Sequence, residues 1–174
     1  MDRDLTRHGI QLYRRLHIAQ NDLWEAELFA ERLAVDPPED RQLREAVLMA
    51  AVVCYARPFT PSQSTDEAHA MLPKGTVRSA FTREERALHA RVLAARNTEV
   101  AHSDTTVHAL TVTLGDTSTM TEYHVRSVLR RWEQPEAAAF LALIRRLRQW
   151  LSGRIVEERA RIPAGHYPPG PRGE

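Results

Sequence analysis

From Leu5 to Leu33, apolar or small residues return every three or four positions, at Leu12, Leu16, Ala19, Leu23, Ala26, Ala30 and Leu33. Residues spaced this way lie on one stripe of an α-helix, since a turn takes 3.6 residues. Asp4 is placed to cap its start, and Asp36-Pro37-Pro38 stops it, because proline lacks the donor and clashes with the preceding turn. A stripe of that length has to be covered by other elements of the chain. Tyr13, Trp24 and Phe29 fall off the stripe and imply a second contact face, toward another helix or a partner chain.

The covering elements are also legible. A second helix is expected to start near Pro38-Glu39-Asp40 and to run through Leu43, Val47, Ala51 and Cys54. Its second half, Ala46 to Ala56, is uncharged on every side, which suits the middle of a bundle and is too short for a bilayer span. Tyr55-Ala56-Arg57-Pro58-Phe59 ends it. Residues 60–79, with Pro61, Pro73 and Gly75, read as a long loop, a length that usually signals function or mobility. A third helix opens at Phe81-Thr82, with Thr82 and Glu85 spaced as a capping box, and carries Phe81, Leu88, Val92, Ala95 and His102 on one stripe. Val107 to Leu114 then alternates and is rich in β-branched residues, so a short strand is expected, with a turn at Gly115-Asp116-Thr117-Ser118 leading to a partner strand near Thr119 to Val125. Pro135 opens the last helix, whose apolar side holds Phe140, Leu143, Ile144, Leu147, Trp150, Leu151, Ile155 and Ile162. The expected fold is therefore mainly α: a single domain over residues 1–162, a four-to-five-helix up-down bundle with a β-hairpin insertion at 106–125. The Pro- and Gly-rich residues 163–174 are expected to form a disordered tail.

Charge excludes several function classes. The chain has 174 residues and a formal net charge of +1, so no global field draws it to nucleic acid or to a membrane surface. Its basic side is almost wholly arginine, Lys74 being the one lysine. Cys54 is the only cysteine, which rules out an internal disulfide and a multi-cysteine zinc site. Met1-Asp2-Arg3-Asp4 is not followed by an apolar stretch of signal-peptide type, so a cytoplasmic protein is expected.

The segment with most chemical content is Ala94 to Asp104, where helical spacing gives way to alternation. Arg96, Asn97 and His102 stand together there: a cation able to grip a phosphate, an amide, and an imidazole that titrates near neutrality. Arg96-Asn97, four residues, then His102 resembles the Arg-x4-6-His motif of the HEPN superfamily, small helical bundles many of which are RNases. Ala101-His102-Ser103-Asp104 resembles the small-His-polar ending of that motif. Spacing alone does not select this pair, since Arg3/His8, Arg83/His89 and Arg161/His166 satisfy it too. Asn97, the position at the end of a core-lining helix and the neighbouring loop single it out.

The resemblance implies metal-independent cleavage of single-stranded RNA by a homodimer whose two motifs face one cleft. Six residues on an α-helix separate two side chains by about 9 Å along the axis and about 120° around it, so one copy alone makes a poor site. His102 would act as general base on the ribose 2′-hydroxyl or would protonate the leaving 5′-oxygen, and Arg96 would stabilise the charge gathering on the phosphorus. Asn97 would orient the phosphate or His102. No cofactor is expected. A toxin or phage-defence effector is the implied setting, with an antitoxin or other protein as partner; the alternative is a non-catalytic HEPN-like module that binds RNA or protein. The structural reading of the same residues pairs Arg96 with Glu99 and makes His102 a helix-end cation.

Other residues invite a role. Arg57, with Tyr55 beside it, is placed where a buried helix enters the long loop and could hold a phosphate; the competing reading is a cationic helix end with Phe59 tucked into the core. Glu99-x-x-His102 is half of a di-iron motif, but no second Glu-x-x-His occurs, and His102, Asp104 and His108 do not make a convincing zinc set, so no metal is expected. The arginines of the last helix, Arg145, Arg146, Arg148, Arg154, Arg159 and Arg161, read either as a solvated face or as an RNA contact.

Overall fold

The structure is a computed structural model that describes residues 3–61, 71–100, 108–114, 119–125, 132 and 134–165. Helix α1 runs Arg3–Val35, α2 Arg41–Ala56, α3 Thr76–Ala80, α4 Arg83–Ala95 and α5 Gln134–Arg161. A 3-10 turn, Arg57–Phe59, follows α2, and a π-turn, Arg96–Val100, continues α4. Strands β1 (His108–Leu114) and β2 (Thr119–Val125) pair antiparallel, with His108 opposite Val125 and Leu114 opposite Thr119. The chain is thus mainly helical. Positions 106, 107 and 115–118 of the expected hairpin, His102, and residues 166–174 of the expected tail lie outside the described residues.

Helix α1 is the spine, packed against both α2 and α5. Its predicted stripe is the buried one: Leu16, Ala19, Leu23, Ala26, Ala30 and Leu33 are all core residues. Three alanines on that stripe let neighbouring backbones approach closely, and each buried Leu contributes about 2 kcal/mol. The α1–α5 cross-links run antiparallel: Gln20 donates to Ser152 Oγ, Arg145 to Glu27 and Glu31, and Gln134 to the carbonyl of Ala34 near the end of α1. Helix α2 also returns antiparallel along α1, its Cys54 reaching Glu25 and Arg57 reaching Asp22.

Local signals set the ends. Asp40 caps α2 by accepting from the N–H of Leu43 at 2.7 Å, and Thr82 with Glu85 forms both bonds of the capping box at α4. In the apolar second half of α2, Leu48, Ala51, Val52, Cys54, Tyr55 and Ala56 are buried while Ala46 is exposed and the rest half-buried; Leu43, on the first half, is 54% exposed and belongs to the surface. Residues 60–79 differ from the expected uninterrupted loop. They contain α3, and Leu72, itself buried, donates to the carbonyl of Pro58 at 2.8 Å, pinning the returning chain to the end of α2. Residues 62–70 fall outside the described set.

On α5, Phe140, Leu143, Ile144, Leu147 and Leu151 enter the core as their spacing requires, with Trp150 and Ile155 packed at its edge. Gln134 precedes Pro135 as the first residue of the helix. No helix is long and apolar enough to cross a membrane among the described residues.

Candidate functional site

Helix α4 carries the Arg96 segment away from its capping box and toward the end of α2. Leu88, His89, Val92 and Ala95 face the core, whereas Ala87, Ala90, Arg91 and Ala94 face solvent. At Arg96 the helix widens into the π-turn. The N–H of Arg96 is shared between the carbonyls of Val92 and Leu93, and the hydroxyl of Thr98 donates back to the carbonyl of Ala94 at 3.0 Å. Such back-bonding loosens an α-helix, and single π-turns recur at functional sites. The segment was expected to finish an ordinary α-helix. The separation computed from α-helical geometry therefore does not carry over to Arg96–Val100.

Within the turn, Arg96 Nη1 donates to Asn97 Oδ1 at 3.0 Å. The expectation gave Asn97 the task of orienting a phosphate or an imidazole; here its amide oxygen holds the guanidinium. Arg96 is half-buried and Asn97 exposed. Among the described side chains, which do not include that of Glu99, no salt bridge joins Arg96, Arg83 or Arg91 to a carboxylate. Arg83 and Arg91 share the solvent face of α4 with Ala87, Ala90 and Ala94, whereas Arg96 stands well round the helix from them.

The arginines of α5 are placed differently. Arg145 binds Glu27 and Glu31 of α1, Arg148 also binds Glu27, and Arg146 reaches Glu85 at 3.3 Å. Arg154 and Arg161 converge on Glu158, a carboxylate only 4% exposed, while Arg159 donates to the carbonyl of Ile162. These side chains hold helices together and close the end of the bundle. Their charge is largely neutralised where it stands.

The described partners of Arg57 and Tyr55 are residues other than Arg96. Arg57 Nη1 lies 3.3 Å from Asp22 Oδ1 and 2.9 Å from Glu25 Oε2, so two carboxylates of α1 already engage its charge. The signal that the sequence reading passed over was the acidic pair at 22 and 25, three residues apart on the flank of α1 that faces α2. Tyr55 is fully buried, and its hydroxyl meets His89 Nδ1 at 2.8 Å. Phe59 completes the cluster, its ring centroid 4.6 Å from that of His89 and 5.6 Å from that of Tyr55. Burial pushes the Tyr55 phenol well above its ordinary value and pulls the His89 imidazole from 6.5 down to about 4. Both groups are neutral at pH 7, so this pair satisfies two polar atoms in the core rather than moving protons at the surface.

The same placement bears on three of the four arginine–histidine spacings, though His102 and His166 themselves lie outside the described residues. His89, of the Arg83 pair, is enclosed by aromatic rings, and Arg161 is taken up by Glu158. Arg96 keeps a polar neighbour, and no carboxylate among the described side chains engages it. Among the described residues no three His, Cys, Asp or Glu side chains are grouped to hold a metal ion. Cys54 is buried beside Glu25, and burial together with that carboxylate raises its thiol despite the nearby Arg57, so it has little thiolate at pH 7. Comparison of the chain with protein-family models, curated protein sequences and solved structures gives no match.

Proposed function

We propose that this chain is a metal-independent endoribonuclease of the HEPN type, acting as a cytoplasmic homodimer and serving as a toxin or phage-defence effector. The observation that carries the reading is the Arg96–Asn97 pair. A π-turn presents the guanidinium, an amide holds it at 3.0 Å, and no described carboxylate claims it. A preoriented, unneutralised guanidinium is the group needed to stabilise the extra charge on a phosphorane-like transition state. Exposed Arg83 and Arg91, on the solvent face of α4 with Ala87, Ala90 and Ala94, offer further cationic contacts for an RNA backbone.

His102 supplies the proton chemistry in this reading, at the 2′-hydroxyl or at the leaving 5′-oxygen, giving a 2′,3′-cyclic phosphate and a 5′-hydroxyl. A second chain brings a second Arg96 and His102 to the same phosphate. The surface best suited to pairing is α1, where Trp24 and Leu28 are each 48% exposed and Val35 70% exposed, all along one side of the helix. Isolated large apolar side chains on a surface are ordinary, but a row of them on the longest helix favours a partner.

Purified protein incubated with a labelled single-stranded RNA tests the reading. Cleavage should survive EDTA and should fall by about 100-fold or more in Arg96→Ala and in His102→Ala. Wild type that binds RNA without cutting it would replace the enzyme with an RNA-binding module. Cutting that persists undiminished in Arg96→Ala would refute the assignment of this site.

A further inference from the structure

The first half of α1 and the end of α5 enclose a pocket of about 270 Å³ that shares no described lining residue with α4 or the Arg96 turn. Much of its wall is apolar. Ile10 and Tyr13 come from α1, Ile162 and Pro163 from the chain just after α5, and all four are half-buried. His17 meets the Tyr13 ring edge-on, with the centroids 4.5 Å apart. Two cations, Arg14 and Arg159, stand in the same wall, and no described lining residue is acidic. Arg159 Nη1 donates to the Ile162 carbonyl at 3.0 Å, and the Ile162 N–H donates to the Arg159 carbonyl at 3.3 Å. These bonds hold the arginine at the pocket and give both carbonyls at the end of α5 a donor. No described carboxylate pairs with Arg159, whereas Glu158 neutralises Arg154 and Arg161 close by.

We infer that this pocket binds a compact monocarboxylate with an apolar body, its carboxylate on Arg159 and Arg14 and its body among Ile10, Tyr13 and Ile162. A guanidinium presents two parallel donors to a carboxylate. In a pocket with apolar walls the field of two like charges is focused rather than screened. A neutral ligand of the same shape would leave both cations in one small pocket without a counter-charge, so charge complementarity selects the acid. The apolar walls select its body, because a sugar phosphate would bury hydroxyls against isoleucine and proline without partners. The volume lies just below the range of sites for drug-sized ligands, which keeps the acid small.

The inference is independent of the RNase reading and is tested with hydrocinnamate as the probe. The chain has seven glycines, so glycine-selective isotope labelling gives a short set of amide resonances, and Gly165→Ala assigns the one that lines the pocket. Hydrocinnamate at low millimolar concentration should shift the Gly165 resonance and leave those of Gly75 and Gly153, outside the pocket, in place. Its amide, hydrocinnamide, has the same shape without the charge and should bind about tenfold more weakly or worse. Inorganic phosphate at equal concentration should not displace the acid. Arg159→Gln, a change at an exposed side chain, should weaken hydrocinnamate binding about tenfold, and Arg96→Ala should bind it as wild type does. An unmoved Gly165 resonance, equal binding of the amide, displacement by phosphate, or unchanged affinity in Arg159→Gln would overturn the inference.

Discussion

His89 makes the fold sensitive to acid, and the size of the effect follows from its surroundings. The imidazole is 6% exposed, ringed by Tyr55, Phe59 and Phe81, and its one described hydrogen-bond partner is a neutral phenol. No described carboxylate faces it to favour the protonated form, and burial lowers its pKa from 6.5 to about 4. An unfolded chain takes up a proton at this histidine near pH 6.5 while the folded chain does not. The stability from this group is therefore complete above pH 6.5, falls as pH drops toward 4, and is lost below it. Linkage gives a loss of about 2 kcal/mol between pH 7 and pH 5 and about 3 kcal/mol once pH is below 4.

The assay is urea unfolding followed by circular dichroism, at pH 7, 6 and 5, for wild type and for His89→Leu. The variant strands the Tyr55 hydroxyl and loses a constant amount at every pH, about 1–3 kcal/mol. Carboxylates elsewhere titrate in both proteins and cancel in the comparison. The gap between wild type and variant should therefore shrink by about 2 kcal/mol from pH 7 to pH 5. A gap that stays constant would mean that His89 titrates normally in the folded chain and is not enclosed as described.

Two further outcomes follow from the helix interfaces. Glu27 holds Arg145 and Arg148, and those two arginines keep its carboxyl below the usual range although burial opposes them. Glu27→Gln should cost about 1–2 kcal/mol in thermal or urea unfolding, because Arg148 is left partly buried without its counter-charge; an unchanged melting temperature would count the pair as surface decoration. On the outer side of α1, Trp24→Glu should weaken self-association by about thirtyfold or more while leaving the melting profile of the subunit intact. Sedimentation equilibrium measures this, and wild type that sediments as a monomer at tens of micromolar would remove α1 as the pairing surface.

The α1 stripe, the Thr82–Glu85 capping box and the apolar second half of α2 could all be read from the chain, since each rests on residues within a turn or two of one another. Short-range sterics and hydrogen bonding leave a direct trace in residue spacing. The fates of the arginines left no such trace. Arg57, Arg145 and Arg96 are chemically alike, and only the packing of α2 and α5 against α1 brings Asp22 and Glu25 to the first and Glu27 and Glu31 to the second. Tyr55 was as plausible at a phosphate as in a core until the approach of α4 set His89 against its hydroxyl.

The sequence by itself determined the four long helical segments and the buried stripes of α1 and α5, because those properties are settled by local periodicity, whereas the short α3 was not legible. Tertiary structure alone decided which charges are neutralised and which are left open. Coulomb energy and desolvation depend on distances across helices that residue spacing does not encode. Arg96, held by its own neighbour Asn97 on a π-turn, meets no carboxylate among the described side chains.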